Sequence, residues 1–277
     1  MATPVNVGLI GYRFMGKVHS HAYHDMPFFF RTEHVPVRKV ICGRNEGAVR
    51  EAASRWGWEE VETDWRRVVE RRDIHLVDVS APDALHYEIV MAAAAAGKHI
   101  LCEKPLAMTA RQAEEMTGAA EQAGVTHMLA HQLRKIPALL YAHRLIQEGT
   151  LGRLLHVRAL WTNDMGIDPE YPMVWRFRQE AIGRRGVIGN LGSHLIDLVR
   201  FLAGEIVEVV ASADTHIRFR PLPEEGSRRP IPGTRGEVTV YDEACILARL
   251  AGGATAVIES SWVAAGHRHG QRIEVNG

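Results

Sequence analysis

Up to about Arg134 the chain alternates short apolar runs with longer stretches of helical period, and this rhythm constrains the fold more than any single motif. The apolar runs are VNVGLIG, VRKVICG, HLVDVSAP, HILCE and VTHMLA. Between them lie helical stretches, the clearest being LHYEIVMAAAAAG and ARQAEEMTGAAEQAG, each closed by a glycine stop. Strand alternating with helix implies parallel pairing, with helices on both faces of the sheet. Residues 1–134 are therefore expected to form a doubly wound α/β domain.

After a linking helix, PALLYAHRLIQEG, the rhythm changes. RLLHVRALWTND, IVEVVASADTHIRFR, EACILARLAGG and ATAVIESSWVA are long β-rich runs, with a hairpin-like Gly-Gly between the last two. One helix, NLGSHLIDLVRFLAG, interrupts them. The pattern predicts a second domain over 135–277, of α+β type with a large, mostly antiparallel open sheet. RPLPEEGSRRPIPGTRGE, rich in proline, glycine and charge, is expected to be a mobile surface loop. QRIEVNG alternates like a strand and closes on Asn-Gly, a turn without a return strand, so the natural chain is expected to continue. The apolar MPFFF is expected to pack between elements or against a partner.

Bulk composition removes several classes of function. The 277 residues carry 33 basic and 33 acidic side chains, which leaves no field to gather nucleic acid or anionic lipid. No apolar run is long enough to span a bilayer, and MATPVNVGLIG lacks the marks of an export signal. Cys42, Cys102 and Cys245 are far apart and odd in number, which suits a reducing compartment. A cytoplasmic globular protein is expected. His19, His21 and His24 in HSHAYH cannot share one helical face, and no group of residues has zinc-ligand spacing, so no metal is expected.

Four pieces of sequence carry chemistry. GLIGYRFMG follows the first strand and opens the first helix, the context of a dinucleotide-binding turn. Gly11 would permit the tight bend, Gly16 would let helix and strand pack closely, and the helix N-terminus would offer N–H groups to a pyrophosphate. Arg13 stands where the fingerprint has its middle glycine; it is counted among the cofactor contacts together with Phe14 and Met15. At the end of the second strand an acidic residue would hold the ribose hydroxyls of NAD, yet Gly43 and Arg44 stand there. Arginine suits a 2′-phosphate, so NADP is favoured slightly over NAD.

The third piece is CEKPLA. Lys104 lies just past the C-terminal end of a buried strand, the edge where parallel sheets bind ligands. Pro105 keeps it out of helical conformation. Beside a positively charged nicotinamide a lysine loses part of its proton affinity, which suits acid–base work. The fourth is the helix GNLGSHLIDLVRFLAG. Leu191, Leu195, Leu198 and Leu202 form one apolar stripe, and Asn190, His194 and Asp197 fall in a narrow arc beside it. Such a histidine can face a cleft or be an interfacial histidine with satisfied partners.

In this order the pieces resemble the glucose–fructose oxidoreductase/inositol dehydrogenase (Gfo/Idh/MocA) family over nearly the whole chain. The family's Thr-Pro-Asn-x-x-His-like element is represented by SAPDALH, its Glu-Lys-Pro by Glu103–Pro105, its WRF segment by Trp175–Phe177, and its Asp-x-x-x-His helix by Asn190 to His194. GKVHSHAY, CEKPLA, WRF and GSHLIDLVRFLAGE are nearest the family's levoglucosan dehydrogenase-like branch.

The resemblance implies a Rossmann domain with the cofactor across it, a second domain on a large open sheet, and a sugar or cyclitol substrate between them. It implies cofactor contacts from Ser80, Pro82, His86 and Glu103, catalytic roles for Lys104 and His194, and an orienting role for Asn190 in place of the commoner aspartate. Trp161, Asp164, Trp175 and Arg176 are implied walls of the sugar pocket. The reaction implied is hydride transfer between NAD(P) and a secondary ring hydroxyl, in a homo-oligomer. The same resemblance admits an NAD-dependent glycoside hydrolase, and the departures at Arg13 and Asn190 admit a cofactor-binding sensor without turnover.

Overall fold

The expected strand–helix alternation is realised as six parallel strands in the order β3-β2-β1-β4-β5-β6. The structure is a computed structural model that describes residues 2–277. In chain order the first unit contains β1 (Thr3–Ile10), α1 (Phe14–Phe29), β2 (His34–Cys42), α2 (Glu46–Trp56), β3 (Glu60–Glu62), α3 (Trp65–Glu70), β4 (Leu76–Val79), α4 (His86–Ala95), β5 (His99–Cys102), α5 (Ala110–Gln122) and β6 (His127–Leu129). The short β3 was not visible as a periodic run. Only three residues of EVE pair with β2, too few for alternation to show.

Because successive strand side chains point to opposite faces, each strand feeds two cores. Val7, Leu9 and Ile41 pack with Val49, Ala53 and Trp58 on one face. Ile10, Val40, Cys42, Val77 and Val79 pack with Ile89, Ala93 and Met116 on the other. Side-chain caps start three of the helices: Asn45 accepts from the Ala48 N–H, Asp64 from Arg66 and Thr109 from Gln112. The expected glycine stops Gly97 and Gly124 both have positive φ.

The chain divides between Ala130 and His131 into two compact units. The second contains α6 (Pro137–Gln147), β7 (His156–Thr162), α7 (Gln179–Ile182), α8 (Ser193–Ala203), β8 (Ile206–Asp214), β9 (Phe219–Pro223), β10 (Pro230–Glu237), β11 (Glu243–Leu250), β12 (Thr255–Ser261) and β13 (Gly270–Asn276). Five strands form one sheet in the order β13-β7-β12-β11-β8, antiparallel except where β7 runs parallel to β12. The leucine stripe of α8 is buried, and Leu195 and Val199 pack on the inner face of this sheet with Val157, Ala256 and Ile258.

One expectation is corrected here, and one alternative of another is excluded. The segment read as a mobile loop is mostly an antiparallel ribbon, β9 with β10. Arg220 anchors it, its buried guanidinium donating to the carbonyls of Asp168, Tyr171 and Gly166 and lying 4.1 Å over the Phe177 ring. Composition signalled exposure correctly but could not reveal that anchor. The β-rich run IVEVVASADTHIRFR supplies β8 and the start of β9, and the Asp242 carboxylate accepts the His216 and Ile217 N–H groups at the turn between them. Of the two alternatives for MPFFF, packing between elements is excluded, since Phe28, Phe29 and Phe30 are exposed at the end of α1, and packing against a partner stands.

Candidate functional site

Gly11 and Gly16 are required by close approach, and Arg13 is not excluded by it. Gly11 has φ +119°, and a β-carbon there would stand 2.4 Å from the Ser80 carbonyl oxygen. A β-carbon on Gly16 would stand 2.1 Å from the Gly11 oxygen. Arg13 has φ −81°, open to any residue, and is exposed at the N-cap of α1. Its side chain makes no capping hydrogen bond and the first turn holds no acidic residue, so the N-terminal amides are left to accept an anion. Phe14 is exposed and Met15 half-buried in that same turn.

The missing acidic residue after β2 has a steric reason. The Tyr12 ring lies against Gly43, where a β-carbon would come within 2.1 Å of the ring. No carboxylate-bearing side chain fits there, and the next residue, exposed Arg44, supplies the charge at this edge.

The ends of β4 and β5 complete the carboxyl edge of the sheet. Ser80 donates its N–H to Ile10, and Pro82 opens a 3-10 turn over Asp83–Leu85. His86 is fully buried, its ring nitrogens 3.0 Å from the carbonyl oxygens of Ala81 and Pro105. Glu103 is buried, and its Oε2 accepts the Lys104 N–H at 3.0 Å. Lys104 is half-buried, and its peptide to Pro105 is cis. His86 and Glu103, both expected as cofactor contacts, thus hold the Lys104 turn through internal bonds.

One cluster at this edge escaped sequence reasoning. His19 on α1 sets Nδ1 2.8 Å from Asp78 Oδ2 and Nε2 3.1 Å from Glu103 Oε1. Tyr23 donates its hydroxyl to Asp78 at 2.7 Å. Burial drags the His19 imidazole down, but its hydrogen bonds to Asp78 and Glu103 and their charges outweigh that and raise it to about 10. The same burial, with the Asp78 charge and hydrogen bond, pushes the Tyr23 phenol well up. Asp78 was the available signal, a carboxylate inside an apolar run that reads as a buried parallel strand and therefore demands a partner. Among the described residues no three His, Cys, Asp or Glu side chains are grouped to hold a metal ion.

In the second unit, His194 is buried at the start of α8, which enters from a π-helical turn over Ile188–Gly192 that carries Asn190. The His194 ring lies 5.4 Å from Trp161 and 5.5 Å from His131, and Trp161 has His269 5.3 Å away across its edge. His131 and His269 were not singled out in the sequence, since nothing local links either to Trp161. Asp197 is engaged elsewhere: Arg134 grips its carboxylate with two bonds of 2.8 and 2.5 Å, and this pairing raises Arg134 further. Asp164 is half-buried just after β7. Trp175 and Arg176 share a 3-10 turn, the guanidinium 5.0 Å over the indole and its pKa lowered by burial.

A six-stranded parallel sheet with a glycine turn after its first strand, followed by a mostly antiparallel open sheet, is the architecture of a nucleotide-binding α/β domain joined to a second α+β domain. The comparisons agree. Residues 5–131 match the oxidoreductase family with NAD-binding Rossmann fold, and residues 139–277 match the GFO/IDH/MocA C-terminal domain. The chain belongs to the Gfo/Idh/MocA family of NAD-binding oxidoreductases.

Among its relatives is levoglucosan dehydrogenase of Pseudarthrobacter phenanthrenivorans, 42% identical over 99% of this chain and 71% of that protein. A scyllo-inositol 2-dehydrogenase (NADP(+)) of Bacillus subtilis is 30% identical over 75% of this chain and 54% of its own length. The solved structure of levoglucosan dehydrogenase in complex with NADH superposes with a TM-score of 0.93 at 41% identity, covering 99% of this chain and 71% of that one.

Proposed function

We propose that this protein is an NAD(P)-dependent dehydrogenase acting on a secondary ring hydroxyl of a sugar, anhydrosugar or cyclitol. The supporting observation is the carboxyl edge of the first unit, where a glycine turn free to take an anion and a braced Lys104 turn stand on one sheet. The similarity to levoglucosan dehydrogenase over 99% of the chain favours a pyranose or its anhydride as substrate.

Gly11, Gly16 and the first-turn amides of α1, including those of Phe14 and Met15, would hold the pyrophosphate, with Arg13 adding positive charge. Ser80 and Pro82 border the same edge. When bound, the nicotinamide supplies the hydride acceptor or donor. Lys104 takes the proton of the reacting hydroxyl, and returns it in reverse. His194 is its acid–base partner, oriented by Asn190. Trp161 offers an apolar wall suited to a sugar ring, while Asp164, Trp175 and Arg176 offer further wall and hydrogen-bonding groups.

Arg44 favours NADP, because Gly43 leaves no room for the carboxylate that would repel a 2′-phosphate. A second reading, NAD as the working cofactor, draws support from the NADH-bound relative. Exposed Val210 and Leu247 on neighbouring strands of the open sheet favour burial against a second copy, hence a homo-oligomer. Among the described residues no helix is long and apolar enough to cross a membrane. The free thiol of exposed Cys245 suits a cytoplasmic site. The domain boundary expected at 134/135 falls in the 3-10 turn Gln132–Lys135 that follows β6.

Screening sugars and polyols for reduction of NAD and of NADP tests the activity, and light scattering tests the oligomer. Arg44→Asp should weaken NADP about tenfold or more while sparing NAD. Cofactor binding without reduction across the screen would overturn the dehydrogenase reading. An unchanged NADP preference in Arg44→Asp would decide against Arg44.

A further inference from the structure

A buried parallel strand has no ordinary use for a carboxylate, yet Asp78 lies fully buried in β4. Both ring nitrogens of His19 face carboxylates, Asp78 on one side and Glu103 on the other, so both donate and the ring is an imidazolium. The groups facing it come from three places: Tyr23, bonded to Asp78, from its own helix, Asp78 and the Ser80 hydroxyl from β4 and its end, and Glu103 from just past the end of β5. Apolar packing of similar volume would stabilise this core as well as buried ions do. Stability alone therefore does not account for the cluster.

Its path through the fold does. α1 is held by the close contact of Gly16 with Gly11 and by Ser20, which donates within the helix to the Gly16 carbonyl at 2.6 Å and accepts the Trp58 indole N–H at 2.9 Å. From this anchored helix His19 reaches Glu103 Oε1, and the other oxygen of that carboxylate receives the Lys104 N–H. His86 grips the far side of the same turn at the Pro105 carbonyl.

We propose that His19 is a positioning residue for the dehydrogenase reaction: through Glu103 it fixes the backbone from which Lys104 acts. The inference rests on the role given to Lys104 above. The imidazolium holds one oxygen of the Glu103 carboxylate, so that the other stays aimed at the Lys104 amide. It also ties the helix that opens at the nucleotide turn to the turn that carries the acid–base group.

The test compares the parent with His19→Gln and His19→Leu. The Lys104 amide, followed by hydrogen exchange in NMR spectra, should exchange about tenfold faster in both variants, because its acceptor loses its brace. Turnover should fall about tenfold to a hundredfold, with cofactor affinity and sugar KM within about threefold of the parent. In His19→Leu two buried carboxylates are left without a cation, and one retains its proton to higher pH. The acid limb of the kcat profile should then move up by about one unit, and adding Glu103→Gln should remove that movement.

A folded His19→Gln with parental Lys104 exchange and parental kcat overturns the inference, as does an unmoved acid limb in His19→Leu. If the parent reduces cofactor with no sugar, Lys104 exchange alone decides the inference, and the missing turnover counts against the proposed reaction instead. If neither His19 variant folds, the isosteric Glu103→Gln carries the same exchange measurement, and an unchanged Lys104 amide there overturns the inference.

Discussion

Replacing Gly16 by alanine is the smallest change that should damage the nucleotide turn. In a helix alanine is normally preferred to glycine by about 1 kcal/mol. At Gly16, however, the new methyl would lie 2.1 Å from the Gly11 oxygen and 2.8 Å from its carbonyl carbon. To reach even 3.0 Å from that oxygen the two must separate by 3.0 − 2.1 = 0.9 Å. Both sides are backbone, and the helix side is held by Ser20 and Trp58. Overpacking of this kind costs about 1–3 kcal/mol, and straining the Ser20 bonds adds about 1 kcal/mol. Set against the helix gain, the net destabilisation is about 2 kcal/mol, or roughly 4–8 °C in melting temperature.

The functional loss should be larger than the loss of stability. Prising the first turn of α1 from Gly11 displaces the amides that would receive the pyrophosphate, and each such bond to a charged group is worth about 1.5–3 kcal/mol. NADH and NADPH affinity, read by fluorescence titration, should fall about tenfold to a hundredfold. Gly118→Ala provides the control, since Gly118 lies inside α5 and a β-carbon there meets nothing within 4 Å. That variant should gain about 0.5–1 kcal/mol and bind cofactor like the parent. Parental affinity in Gly16→Ala would refute the reading of this turn as the pyrophosphate site.

Three further outcomes are expected. Lys104→Ala should lose about a hundredfold to ten-thousandfold in kcat with cofactor affinity nearly unchanged, and Asn190→Asp should shift the pH–rate profile by strengthening His194 as a base; steady-state kinetics on the screened sugar checks both. His19 holds its proton up to about 10 when folded but releases it near 6.5 when unfolded. Its contribution is therefore complete below pH 6.5 and is lost as pH rises through 10, at up to about 1.4 kcal/mol per pH unit between, and urea titrations from pH 6 to 10 should show that slope flatten in His19→Gln. Arg220→Met should cost about 2–4 kcal/mol, because it strips donors from the carbonyls of Gly166 and Asp168; a urea midpoint equal to the parent's would show that the ribbon stands without its anchor.

Everything set by short-range period was legible in the sequence. Runs of β character alternating with helical ones dictated a parallel sheet. Glycines at Gly11 and Gly16 marked the turn at its head, and the leucine stripe of α8 declared its buried face. These signals survive without an alignment because strand and helix each impose their own spacing on neighbouring residues.

What the sequence withheld are meetings between side chains that sheet order alone brings together. His19 and Asp78 are 59 positions apart, and they touch because β4 lies beside β1 and α1 packs over both. Arg134 and Asp197, 63 positions apart, meet where a helical turn packs on α8, and that pairing engages the Asp197 carboxylate. Gly43 stands where the sequence leads one to expect an acid because the Tyr12 ring lies against it, and the proline-rich segment is an ordered ribbon because Arg220 lies beneath it. A buried charge states in the sequence only that it needs a partner; the desolvation penalty enforces the pairing, and tertiary structure alone chooses the partner.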